Sequence, residues 1–113
     1  MITPPVIQSL SDVKQEGLTA QNGSCISGYE PYAKRQNNEI KLTGIINGQI
    51  NQVLYIIPNG YRPSKKQCFM CPSMNGSQSN HFAIVIIEPT GEISFSYAGG
   101  QNISLDGISY FTE

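Results

Sequence analysis

From Leu18 onward, apolar residues come in short groups separated by turn residues, a rhythm of strands with no amphipathic helix of useful length. Asn22-Gly23 is a tight-turn pair, because both residues tolerate positive φ. Glu39–Thr43 alternates, with Ile40 and Leu42 on one face and Lys41 and Thr43 on the other. Gly44 lets that strand bend before Ile45-Ile46, and Asn47-Gly48 turns the chain. Residues 53–57 form the next strand, ended by Pro58 and a loop at 59–64, and residues 67–71 form a short one after it. Residues 73–80 keep Met74 alone as an apolar residue and read as an exposed loop. Residues 81–88 differ, being apolar on successive positions, which implies cover on both faces. One face packs on a facing sheet, and the other suits a copy of the same chain.

Pro89-Thr90-Gly91 makes a hairpin into residues 92–97, with Ile93, Phe95 and Tyr97 on one face. Residues 98–102 link flexibly to a last pair, 103–105 and 108–111. Between them lies Asp106-Gly107, where the Asp side chain hydrogen-bonds the backbone. About seven or eight short strands with regular turns predict an all-β fold, an antiparallel β-sandwich or jelly roll. The pattern changes over residues 1–16. Pro4-Pro5 favours an extended start, and residues 11–16 suit one helical turn capped by Ser11 and stopped by Gly17. The expected division is an N-terminal arm or tether at 1–16 and a β-sandwich domain at 17–113.

Composition narrows the function classes. A chain of 113 residues has the length of one domain. At this size folding buries about 65% of the surface an unfolded chain exposes, so one core suffices without staples. Charged residues make up 13%, well below the usual share, and Asn, Gln, Ser, Thr and Gly carry the solubility. Such a surface suits neutral hydrogen-bonding partners, or a subunit that buries much of itself in an oligomer. A net charge of −1 argues against nucleic acid, which needs clustered cations, and Lys34-Arg35 and Arg62 with Lys65-Lys66 read as solvated loop charges. The start Met1-Ile2-Thr3-Pro4-Pro5 lacks the pattern of a secretory leader, and no stretch reaches the ~18 apolar residues of a membrane span. The expectation is a soluble protein made in a cytoplasm, with no membrane insertion.

Candidate chemistry is thin. His81 is the sole histidine, and a pairing of Cys68 or Cys71 with it is the one arrangement that suits thiol chemistry. Short-strand cysteines more often fill a core. Together with Cys25 these residues could supply a Cys3His zinc set. Against this, residues i and i+3 on a strand point to opposite faces, and Phe69-Met70 is a poor knuckle. The odd number of cysteines argues against a closed disulfide framework. The sequons at Asn22, Asn75 and Asn102 read as turn chemistry. The expectation is therefore no enzyme, no metal and no cofactor. Binding remains. A saccharide site sets an aromatic platform beside amides and hydroxyls, and the candidates are Tyr29, Tyr32, Tyr61 and Tyr97 with Asn75, Gln78, Asn80, Gln101 and Asn102.

Three phrases follow one another toward the C-terminus: Ile57-Pro58-Asn59-Gly60-Tyr61-Arg62-Pro63-Ser64, Glu88-Pro89-Thr90-Gly91-Glu92-Ile93 and Ile103-Ser104-Leu105-Asp106-Gly107-Ile108-Ser109-Tyr110-Phe111. Upstream stand Leu18-Thr19-Ala20-Gln21-Asn22-Gly23, Tyr29 to Tyr32, and Ile40-Lys41-Leu42-Thr43-Gly44-Ile45-Ile46. Over residues 15–112 this order resembles the C-terminal knob modules of bacteriophage tail-fibre, baseplate and minor structural (receptor-binding) proteins. The resemblance implies a homotrimeric, non-enzymatic knob on the virion surface, made in the host bacterial cytoplasm, that binds a host cell-surface saccharide. It also implies scaffold roles for Tyr61-Arg62-Pro63-Ser64 and Leu105-Asp106-Gly107-Ile108, with 73–80 and 98–102 as specificity loops. The family often carries Trp after the first turn glycine and before the closing Leu-Asp-Gly, where Ser24-Cys25 and Asn102-Ile103 stand here. Either the core is repacked with smaller residues or an aromatic platform is absent. The alternative is a structural head-fibre, decoration or baseplate adaptor subunit that docks on other virion structural proteins through residues 1–16.

Overall fold

A computed structural model describes residues 13–74, 81–100 and 102–112, and every regular element among them is a strand. In chain order these are β1 (Lys14–Gly17), β2 (Thr19–Ala20), β3 (Ser24–Cys25), β4 (Tyr32–Gln36), β5 (Glu39–Thr43) and β6 (Ile45–Asn47). There follow β7 (Tyr55–Ile56), β8 (Gln67–Met74), β9 (Phe82–Ile87), β10 (Glu92–Ala98), β11 (Asn102–Ser104) and β12 (Ser109–Phe111). They form a four-stranded sheet of order β1-β4-β5-β12 and an eight-stranded sheet of order β2-β7-β10-β9-β8-β11-β6-β3, antiparallel throughout. The expected all-β antiparallel architecture is the observed one.

The four-stranded sheet grows from the alternation at Glu39–Thr43. Ile40 and Leu42 are buried while Lys41 is exposed, and the registers Ala33↔Leu42 and Tyr110↔Ile40 lay Ala33 and Tyr110 beside them in the core. Lys34 and Arg35, expected in a loop, lie in β4. Ala33 is the only apolar residue that β4 turns inward, too little for a strand pattern to show in the sequence. The β4–β5 hairpin turns at Asn37, whose φ of 57° asparagine adopts more readily than most residues.

Gly44 is the corner where the chain passes from one sheet to the other. Its φ is +117°, and a Cβ there would come within 2.6 Å of Pro31 Cα, so glycine is required twice over. The phrase Leu105-Asp106-Gly107 grips this corner from across the fold: Gly44 N donates to Asp106 Oδ1 at 3.0 Å, and Leu105 N donates to Gly44 O at 2.8 Å. Asp106 thus bonds backbone as expected, but it reaches a strand corner far from its own turn.

In the eight-stranded sheet the β9–β10 hairpin closes where predicted, with Gly91 N donating to Glu88 O at 2.8 Å. Ala83, Val85, Ile87, Ile93, Phe95 and Ile103 point inward and are fully buried or nearly so. Burying one such large side chain contributes on the order of 2 kcal/mol, so these rows dominate the stability. Of the pairs Ser24-Cys25 and Asn102-Ile103, Ile103 is fully buried and Cys25 packs against the same core.

A bulge alters the outcome at Tyr97. The register runs Phe95↔Val85 and then Tyr97↔Ile84, so Ser96 is an extra residue on β10. One inserted residue reverses the face of everything after it. Tyr97, expected with Ile93 and Phe95, instead stands with Phe82, its ring centroid 5.1 Å from that neighbour's.

Three further expectations change. Residues 14–16, read as part of a helical turn, form β1 and pair with β4 in the register Gln15↔Lys34. A single helical turn is marginal by itself, whereas an open strand edge offers its backbone partners. Ser11 and Asp12 lie outside the described residues. Ser73 and Met74, read as loop, extend β8, because Ser73 N donates to His81 O at 3.0 Å and β11 pairs along their other side. Of residues 53–57, Tyr55–Ile56 alone make a regular strand.

Candidate functional site

One end of the eight-stranded sheet carries a row of polar side chains in register. Asn102 pairs with Met74, and the β11–β6 register sets Asn102 across from Asn47, which in turn pairs with Ser24. The Asn47 amide spans this row: its Oδ1 accepts from Ser24 Oγ, and its Nδ2 donates to Asn102 Oδ1 at 3.3 Å. Two bonds of opposite sense fix which way the amide faces. Beside the row opens a cleft of about 660 Å³ lined by Asn47, Gly48, Gln49, Ile50, Ala98 and Gly100. Ile50 is 47% exposed. Gly100 lies hard against β8, where a Cβ would come within 2.7 Å of Met74 O and 2.8 Å of Ser73 Oγ. That Ser73 hydroxyl is buried without a hydrogen-bond partner among the described residues.

A second cleft, of about 720 Å³, has charged residues in its lining. The register Lys14↔Arg35 and Glu16↔Ala33 puts Lys14 and Glu16 on the face of Arg35, and this face meets the loop Asn59-Gly60-Tyr61. Arg35 donates from Nε to Asn37 O at 2.8 Å and from Nη1 to Gly60 O. Arg62 donates from Nε to Ile57 O at 2.8 Å, and Tyr110 donates its hydroxyl to Tyr61 O at 2.6 Å. Burial holds the Tyr110 phenol above its usual range. The arginines and the buried phenol together pin the loop.

The third surface feature is apolar. The registers Cys68↔Ile86, Met70↔Ile84 and Pro72↔Phe82 gather these side chains on the outer face of β8 and β9. Tyr97 joins them through the bulge. Met70 is 73% exposed.

The predicted site residues scatter over these features. Tyr61 is only 6% exposed, packed down under its loop at the charged cleft. Tyr97 belongs to the apolar face. Asn102 is 8% exposed and turned to Asn47 at the margin of the uncharged cleft. Asn75, Gln78, Asn80 and Gln101 lie outside the described residues. Tyr29 and Tyr32 are exposed but line neither cleft. Of the residues lining the uncharged cleft, Asn47 reads in the sequence only as part of a turn, and Gln49 and Ile50 are not singled out there. Their signal was the amide-rich run Asn47-Gly48-Gln49-Ile50-Asn51-Gln52 between two apolar strands.

The thiols and the histidine do not converge. Cys71 faces the core, where burial pushes its thiol up to about 11, while Cys68 is exposed on the other side of the strand. His81 lies opposite Ser73, about 17 Å along β8 from Cys68. Cys25 sits beside Tyr55, whose phenol is raised to about 12 by burial first and by its hydrogen bond with Cys25 second. Among the described residues, no three His, Cys, Asp or Glu side chains group as metal ligands.

No family model and no curated protein matches the chain. Among solved structures it is similar to the crystal structure of the receptor binding protein (gp15) of Listeria phage PSA, at 20% sequence identity. The TM-score is 0.75, over 96% of this chain and 70% of that one. The likeness establishes the fold: this chain takes an architecture also built by a phage receptor binding protein.

Proposed function

We propose that the chain is the knob of a bacteriophage virion fibre, on a tail or a head, that recognises a host cell-surface saccharide by binding rather than catalysis. The observation that carries this reading is the fold likeness to a phage receptor binding protein over 96% of the chain. The order of phrases that resembles phage knob modules points the same way. Two loop-lined clefts on a rigid sheet scaffold are the kind of surface on which recognition is mounted. Against catalysis, a Cys71 thiol raised to about 11 stays protonated at neutral pH and is no nucleophile.

The apolar outer face of β8 and β9 supports a homotrimer in which this face meets its copies, since exposed apolar patches mark association surfaces. Residues 1–16 would dock the knob on other virion structural proteins, with β1 anchoring the arm to the four-stranded sheet. The working place is then the virion surface.

Sedimentation of the labelled protein with envelopes from a panel of bacteria that includes Listeria tests the reading. The expected result is saturable binding to some envelopes that disappears when periodate cleaves their sugar diols. Binding to none of the panel, or binding indifferent to periodate, would sink it.

A further inference from the structure

We infer that the uncharged cleft framed by Asn47–Ile50 and Ala98–Gly100 is the saccharide subsite, and that it takes neutral, polyhydroxylated sugar units carrying no ionised group. This rests on the proposed saccharide recognition and adds a place and a ligand class to it.

The argument starts from what lines the two clefts. Among the described residues none that lines the first is ionisable, whereas Lys14, Glu16 and Arg35 line the second. An anionic sugar entering the first would lose hydration and find no cation, which is costly. A neutral one exchanges water hydrogen bonds for amide hydrogen bonds. Of the cations of the second cleft, Arg35 is already committed. Arg35 donates to two backbone carbonyls and holds the loop, and Lys14 stands two residues from Glu16 on the same strand face, which balances its charge.

The first cleft also supplies what a sugar needs. The bonds to Ser24 and Asn102 fix the Asn47 amide and leave it one N–H and one lone pair by its inventory. Gln49 adds an exposed second amide. Ile50, nearly half exposed, offers aliphatic surface for the C–H face of a pyranose in a chain that has no Trp. Gly100 keeps the floor low: any side chain there would collide with β8 or rise into the opening. The volume, about 660 Å³, falls in the usual range for small-molecule sites.

The test is an array of neutral hexose and N-acetylhexosamine oligomers printed beside sulfated, phosphorylated and uronate counterparts. It is probed with the full chain, with Gln49→Ala/Ile50→Ser, and with Lys14→Ala/Asn59→Ala at the other cleft. Neutral glycans should bind, losing about tenfold or more in affinity in the Gln49/Ile50 variant and little in the Lys14/Asn59 variant. Their binding should change less than about twofold between 50 and 500 mM salt, since no ion pair is screened. Gln49 and Ile50 are exposed, so circular dichroism and the melting curve of their variant should match those of the parent. Binding restricted to acidic glycans, or unaffected by the Gln49/Ile50 changes, overturns the subsite and leaves receptor recognition standing. Failure to bind every glycan and every envelope overturns both.

Discussion

The outer face of the four-stranded sheet sets Lys34 opposite Lys41 and Gln36 opposite Glu39, whereas that of the eight-stranded sheet sets Met70 opposite Ile84 and Pro72 opposite Phe82. Both sheets supply inward rows to one core, so the difference does not come from folding needs. A face of like and unlike charges is content in water, with Phe111 as an apolar exception at its edge. A face with a methionine 73% exposed above half-buried isoleucines is one that water tolerates poorly and a partner would cover. The contrast is what supports the proposed trimer face on one side of the molecule, with solvent on the other.

Four predictions break or sharpen that contrast. The largest effect is expected at the corner that keeps the two sheets in their relation. Gly44→Ala forces a side chain into left-handed φ and against Pro31, and should cost about 3 kcal/mol or more in denaturant unfolding. Charging the apolar face by Ile84→Lys with Met70→Lys should weaken self-association about a hundredfold by light scattering, while an equal charge added on the Lys34/Lys41 face leaves it unchanged. If both faces tolerate charge alike, the assignment of the association side is wrong.

The buried side of β8 should also answer to pH. The Cys71 thiol ionises at about 11 in the fold against 9.0 ordinarily, so the unfolded chain loses its proton first. Stability should be full below about pH 9 and fall by on the order of 2 kcal/mol as pH rises toward 11. Cys71→Ala should remove this onset and leave a later fall, from near pH 10, due to Tyr55 and Tyr110, whose phenols are also raised. The smallest effect belongs to the polar face: Lys41→Glu turns the Lys34–Lys41 opposition into an attraction and should stabilise by about 0.3–0.5 kcal/mol.

Much of the sheet architecture was legible because alternation and turn chemistry are local. Ile40 and Leu42 went inward as their spacing said, and Pro89-Thr90-Gly91 closed its hairpin. The site was less legible. Asn102 was singled out, but Asn47, which holds it, lies 55 positions away, and only strand pairing brings the two amides together. Tyr61 carried the look of a platform, yet its hydrophobic ring is more stable in the core than over a cleft.

By itself, the sequence determined strand content, the corner at Gly44, the doubly apolar strand at 81–88 and the low charge, because each depends on residue type and short-range spacing. The tertiary structure decided what depends on register. The bulge at Ser96 moved Tyr97 to the outer face, the edge of β4 drew residues 14–17 into a strand, and the β3–β6–β11 pairing assembled the uncharged cleft. A shift of one residue in pairing reverses which side of a sheet a residue faces, and no local pattern encodes it.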